Sequence, residues 1–235
     1  MKTLQAAQFF SEAEKEKIRE AVASVEKSTA GEIATMVVDR SDSYREADIL
    51  GAVLLAGFLA LIIEVLLEYY VVTGGSAVWS GTNQENLQMV LYGISIWAYI
   101  PMAFLLFFPS RLLFRKFPAL KLPLIGKKRI EEAVRERAVR AFYEKALYKT
   151  RDETGVLIFI SLLERKVWIL GDRGIDRKIP HTYWQTLVGE ITAGLSEAHA
   201  CEALCAVIRK IGEELARLFP GKSDDYNELS DEILH

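Results

Sequence analysis

Cysteine is nearly absent from this chain, which has only Cys201 and Cys205, and histidine is hardly commoner, with three residues. The two cysteines stand one helical turn apart on one face, where a disulfide is geometrically awkward. Together with His199 they make H-x-C-x3-C, which matches no established metal-site spacing. They read as reduced helix cysteines, as a reducing compartment would keep them. The N-terminus, MKTLQAAQFFSEAEKEK, has no apolar core of signal-peptide length, so export by a cleaved leader is not expected. A net charge of −3 excludes a strong overall field for nucleic acid, and no nucleic-acid partner is expected. P-loop, G-x-G-x-x-G, G-x-S-x-G and H-E-x-x-H motifs are all missing, which argues against the common nucleotide, hydrolase and zinc-protease mechanisms.

Long apolar runs are present instead. ILGAVLLAGFLALIIEVLL, residues 49–67, carries one charge, Glu64, and MVLYGISIWAYIPMAFLLFF, residues 89–108, carries none. As a helix the first would be about 28 Å long, close to one hydrocarbon core. The pair reads as a transmembrane hairpin, with a kink expected at Pro101. Tyr69, Tyr70, Trp79 and Tyr92 stand near the segment ends, as interfacial aromatics do. The loop between the spans, residues 68–88, has no Lys or Arg, whereas Arg40 and Arg45 precede the hairpin and Arg111, Arg115, Lys116, Lys121, Lys127 and Lys128 follow it. The positive-inside rule places both termini in the cytoplasm. Glu64, about one turn from the end of its span, reads as snorkelling to the interface; an ion path is the alternative. Two spans with so little polar lining make a poor transporter, and the hairpin reads as an anchor. RLLFRKFPALKLPLIGKK, residues 111–128, reads as a basic juxtamembrane segment near anionic headgroups, and residues 109–126 as the linker.

The flanking segments have soluble character. Ser11 and Glu14 form a capping box before Ile18, Ala21, Val22 and Val25 at helical spacing. GEIATMVV, residues 31–38, reads as a strand, and residues 129–148 as an amphipathic helix. GVLIFISL, residues 155–162, reads as a buried strand and VWILGD as a third, joined to it by a short hairpin turn. Gly171 to Arg177 is expected as a loop. Pro180 opens a helix to about Leu195, and a last helix runs from about Ala198 to Leu218. Residues 222–235 form an acidic tail.

A lone strand at 31–38 needs a partner. The best candidate is 155–162, so both halves must lie on one side of the membrane, as a hairpin allows and a single span does not. The expected fold is α/β: a small mixed β-sheet flanked by helices, interrupted by a two-helix transmembrane hairpin. The first two strands are then parallel and the third antiparallel to the second.

These stretches, FFSEAEKEKIREAVASVEKSTAGEIATMVV, then TGVLIFISLLERKVWILGDRGI, then the closing helices to IGEELARLFPG, resemble the TPM domain family. The resemblance covers 8–48 plus 127–221, around the hairpin at 49–108, and is closest to an uncharacterised bacterial subgroup with a membrane hairpin inside the domain. It implies a TPM-type α/β/α fold and one of two roles; most bacterial relatives are exported domains, and this chain departs from them by its hairpin, which with the charge pattern gives a bacterial inner or plasma membrane location. Some relatives are described as acid phosphatases or calcium binders, others as assembly, repair or receptor-accessory factors.

The topology gathers carboxylates. Glu32 starts the first strand, Asp152 and Glu153 precede the second, and Asp172 and Asp176 follow the third, all at the membrane-distal edge. Such a cluster suits Ca²⁺ or Mg²⁺, with Arg173 to hold a phosphate. The same residues also suit plain turn chemistry. His181 beside Pro180 is a candidate base or surface decoration. Two functional readings follow. One is a non-catalytic accessory factor, its partners the lipid bilayer and another membrane or envelope protein, with Trp168, Tyr183 and Trp184 either in a binding surface or in the core. The other is a divalent-metal-dependent acid phosphatase-like hydrolase.

Overall fold

The computed structural model describes residues 5–74, 84–150, 152–197 and 199–221. Trp79, the side chain of Tyr92 and the tail at 222–235 lie outside the described residues. The chain divides into two compact units, one of residues 1–43 and 127–235 and the other of residues 44–126.

The first unit is a three-layer α/β/α domain. Its sheet has strand order β1-β2-β3, with β1 Glu32–Val38, β2 Gly155–Ser161 and β3 Lys166–Gly171. β1 and β2 are parallel, from Glu32 opposite Gly155 to Val38 opposite Ser161. β2 and β3 are antiparallel, from Val156 opposite Gly171 to Ser161 opposite Lys166. The expected pairing is therefore the observed one. Every residue of β1 and β2 is buried, which is why both read as continuous apolar runs and not as alternating ones.

Alternation survives in which helix each residue meets. Ile33, Val37, Val156, Ile158 and Ile160 face a core built with α1 (Glu12–Glu26), α6 (His181–Ser196) and α7 (Ala200–Leu218). Ala34, Met36, Val38, Leu157 and Phe159 face α4 (Lys127–Glu144), through Val134, Ala138, Ala141 and Phe142. Each fully buried Leu, Ile or Phe contributes about 1.5–3 kcal/mol by leaving water. α1 starts on the expected capping box: Ser11 Oγ accepts from Glu14 N at 3.3 Å, and the Glu14 carboxylate accepts from Ser11 N at 2.8 Å.

Three boundaries differ from expectation. The helix expected over 129–148 ends at Glu144, because Ala146 takes a left-handed backbone (φ 58°) and Leu147–Lys149 form a separate 3-10 turn. The expected loop at 171–177 contains one helical turn, α5 (Arg173–Asp176), capped by Asp172. The last helix begins at Ala200. Trp184 is buried in the core, and Tyr183 donates its hydroxyl to Lys210 O at 2.9 Å.

The second unit is a pair of antiparallel helices, α2 (Arg45–Gly74) and α3 (Gln84–Lys116). Both are long and apolar enough to cross a membrane, over Arg45–Tyr70 and Trp97–Lys116. Ala52, Ala56 and Ala60 are buried at four-residue spacing, where small side chains let helices approach closely. Tyr99 donates its hydroxyl to Gly57 O at 3.2 Å. α3 runs through both Pro101 and Pro109 without a break. After α3 the chain forms a 3-10 elbow, Pro118–Leu124. The basic linker is therefore ordered: Lys121 is buried and its Nζ lies 2.6 Å from Asp48 Oδ1.

Candidate functional site

The parallel β1–β2 pair puts the starts of both strands at one end of the sheet, and antiparallel β3 finishes there. Asp172 N donates to Gly155 O at 2.9 Å, and Glu32 N to Thr154 O at 3.3 Å. Glu32 and Asp172 thus flank β2 from opposite sides. Two strand spacings, about 10 Å, separate their backbones.

Asp172 is the best-placed member. Its Oδ1 accepts from Arg173 N at 2.7 Å, and its carbonyl accepts from Ile175 N and Asp176 N, each at 3.0 Å. It caps α5, the turn chemistry of such a sequence. Its other oxygen, Oδ2, is buried and receives no hydrogen bond among the described residues. Asp176 sits one turn on. Burial pushes its carboxyl above the ordinary 3.8, the negative charge of Asp172 adds to this, and His181 opposes it. Asp176 therefore feels the charge of both neighbours.

The loop before β2 closes the site from below. Thr154 Oγ1 donates to Ala30 O at 2.7 Å, and Thr154 N donates to Thr150 Oγ1 at 2.9 Å. Glu153 has a left-handed backbone, φ 54°. A Cβ added to Gly174 would meet Glu153 O at 2.6 Å and Asp152 O at 2.8 Å. Only glycine lets α5 lie this close to those carbonyls. The side chains of Asp152, Glu153 and Arg173 are exposed.

The edge thus gathers Asp172, Asp176, His181 and two backbone carbonyls, with Arg173 at its rim. Glu32 lies across the sheet, buried in β1. Among the described residues no three His, Cys, Asp or Glu side chains come together as a metal-binding group. The oxygen donors here are of the type Ca²⁺ or Mg²⁺ takes, but the side-chain part is only a pair.

A second polar cluster, which the sequence did not signal, lies where β1 and β2 end. Ser161 Oγ donates to Glu164 Oε2 at 2.5 Å, Ser41 Oγ to Ser161 Oγ at 2.9 Å, and Ser41 N to Glu164 Oε1 at 3.0 Å. Arg129 Nη2 lies 2.5 Å from Asp42 Oδ2. No local motif marks the cluster, because Ser41 and Asp42 meet Ser161, Glu164 and Arg129 only across long stretches of chain. The cysteines form no disulfide; both are buried between α1 and α7, Cys201 Sγ 3.8 Å from Glu14 O and Cys205 Sγ 3.8 Å from Lys17 O.

A three-layer α/β/α domain opened by an apolar two-helix insertion defines the class of protein. Residues 125–214 match the family model described as the TPM domain. The fold is similar to the NMR structure of the BA42 protein from the psychrophilic bacterium Bizionia argentinensis, with 19% identity over 96% of this chain and 94% of that one and a TM-score of 0.53. No curated protein matches the chain.

Proposed function

We propose that this protein is membrane-anchored, holds its TPM domain at the cytoplasmic face, and acts as an accessory or maintenance factor for another membrane or envelope protein. One observation carries the reading. The chain leaves the α/β domain after Ser43 and re-enters it at Lys127, with Arg129 against Asp42 at the neck. What lies between is two helices, each able to cross a membrane. Two crossings return the chain to the side it left, which the parallel β1–β2 pair requires. The basic residues flanking the hairpin favour the cytoplasm for that side.

The test is affinity purification of the full chain from native membranes in mild detergent, quantified by mass spectrometry. The expected result is a co-purifying membrane protein in near-stoichiometric amount, with no phosphate released from a generic phosphomonoester by the purified sample. Turnover without a partner would reverse the choice.

A second reading is favoured by Asp172 Oδ2, a buried acceptor with no donor among the described residues. In a divalent-metal-dependent phosphatase-like enzyme, Asp172, Asp176 and the carbonyls of residues 152 and 153 would hold Ca²⁺ or Mg²⁺. The ion would polarise a phosphoryl oxygen, and Arg173 would orient the phosphate. Melting against both ions, beside Asp172→Ala, tests this reading. It predicts a metal-dependent rise in the parent that the variant loses.

A further inference from the structure

Among the described residues, three cations at the end of α3 stand without a carboxylate partner. Arg111, Arg115 and Lys116 are exposed, and among the described residues none of them pairs with a carboxylate. Large apolar side chains are exposed beside them: Leu112 is 66%, Phe117 44% and Leu120 45% accessible. Lys116 Nζ lies 6.0 Å from the centre of the Phe117 ring.

The elbow that follows is pinned. Lys121 Nζ is 2.6 Å from Asp48 Oδ1, with the two side chains 3% and 12% exposed. Phe114 and Leu124 lie against Gly51, where an added Cβ would meet them at 2.5 and 2.9 Å. Pro118 and Pro123 fix their own backbone angles and donate no hydrogen bond. Lys121 is therefore neutralised internally, while the last turn of α3 keeps its charge for something outside the chain.

We propose that this surface binds the headgroup of an anionic phospholipid. Arg111 and Arg115 are one turn apart on a helix face. Their guanidinium forks suit phosphate oxygens, and Lys116 adds a compact charge. Phe117 and Leu120 enter the acyl boundary beside the headgroup, as amphipathic interfacial segments do. A free phosphate would use the cations alone. The adjacent apolar side chains, at the end of two helices able to cross a membrane, point to lipid. The inference rests on the membrane reading above and adds to it a headgroup preference.

The test uses the full chain purified in a neutral detergent. Its thermal midpoint is followed with added phosphatidylglycerol, phosphatidylcholine or inorganic phosphate, beside the variant R111Q/R115Q/K116Q. The three residues are exposed, so the variant should fold normally. The proposal expects a rise of several degrees with phosphatidylglycerol alone, reduced by salt and lost in the variant. Equal rises with both lipids, an equal rise with phosphate, or an undiminished rise in the variant would each overturn it. Native mass spectrometry of the parent in a mixture of the two lipids gives a second readout, with preferential retention of phosphatidylglycerol expected and equal retention contradicting. Extraction of membranes with alkaline carbonate separates the two levels. A chain that stays in the pellet yet shows no lipid preference loses only the headgroup site; a chain that washes off loses the anchor as well.

Discussion

Arg129 Nη2 meets Asp42 Oδ2 at 2.5 Å, although the two residues are 87 positions apart in the chain. Their contact lies where the insertion leaves and rejoins the α/β domain, and Ser41, on Ser161 and Glu164, holds the same neck. The neck is thus closed by residues of the domain itself. Replacing residues 44–126 with a short flexible linker should leave a soluble domain that melts in one cooperative transition by circular dichroism. Within it Arg129→Ala should cost under about 1 kcal/mol, since the pair is partly exposed. Glu164→Ala should cost more, about 1–3 kcal/mol, because the buried Ser161 hydroxyl and the half-buried Ser41 N–H lose their acceptor.

Gly174 touches the carbonyls of residues 152 and 153 with nothing to spare. Gly174→Ala should push α5 off the loop and lower stability by about 1–3 kcal/mol, as overpacking does. Gly189→Ala is the control, because nothing lies within 4 Å of the added atom; there, in the middle of α6, the change should be neutral or stabilising. Chemical denaturation of the two variants checks both.

The raised carboxyl of Asp176 gives a pH signature. A carboxyl whose folded pKa is raised favours the folded state only while protonated. Its contribution is best below the ordinary 3.8 and is lost as pH rises through the raised value. Asp176→Asn should therefore raise the melting temperature slightly at pH 7, and the gain should vanish by about pH 3.8. If the edge held a cation, the same substitution would instead abolish a metal-dependent rise.

Burial pushes the Cys201 thiol up to about 11, and Cys205 rises for the same reason. Both should alkylate slowly at pH 8 in the folded protein and fast in denaturant. Mass spectrometry after timed labelling reads this directly.

What could be read from the residues was what periodicity and topology carry. The capping box of Ser11 and Glu14, the apolar runs of β1 and β2 and the need of residues 32–38 for a parallel partner together define the sheet. Contacts that close over long sequence distances were not legible. Lys121 reads as a headgroup-facing cation until Asp48 is seen beside it, and Ser41, Asp42 and Glu164 read as connector and turn polarity. The candidate site was legible as an edge but not as a geometry. Strand order puts Glu32, Glu153 and Asp172 at one end of the sheet, with β2 between Glu32 and Asp172. The turn of α5 was missed because four residues carry no periodicity; its signal was Asp172 before Arg173, a residue able to cap.

The central claim is that two crossings hold the TPM domain on the cytoplasmic side. Paired reporters test it most directly, one inserted at residue 78 between the helices and one fused after His235. The account predicts an extracytoplasmic signal at 78 and a cytoplasmic signal at the C-terminus. Signals from the same side would contradict it.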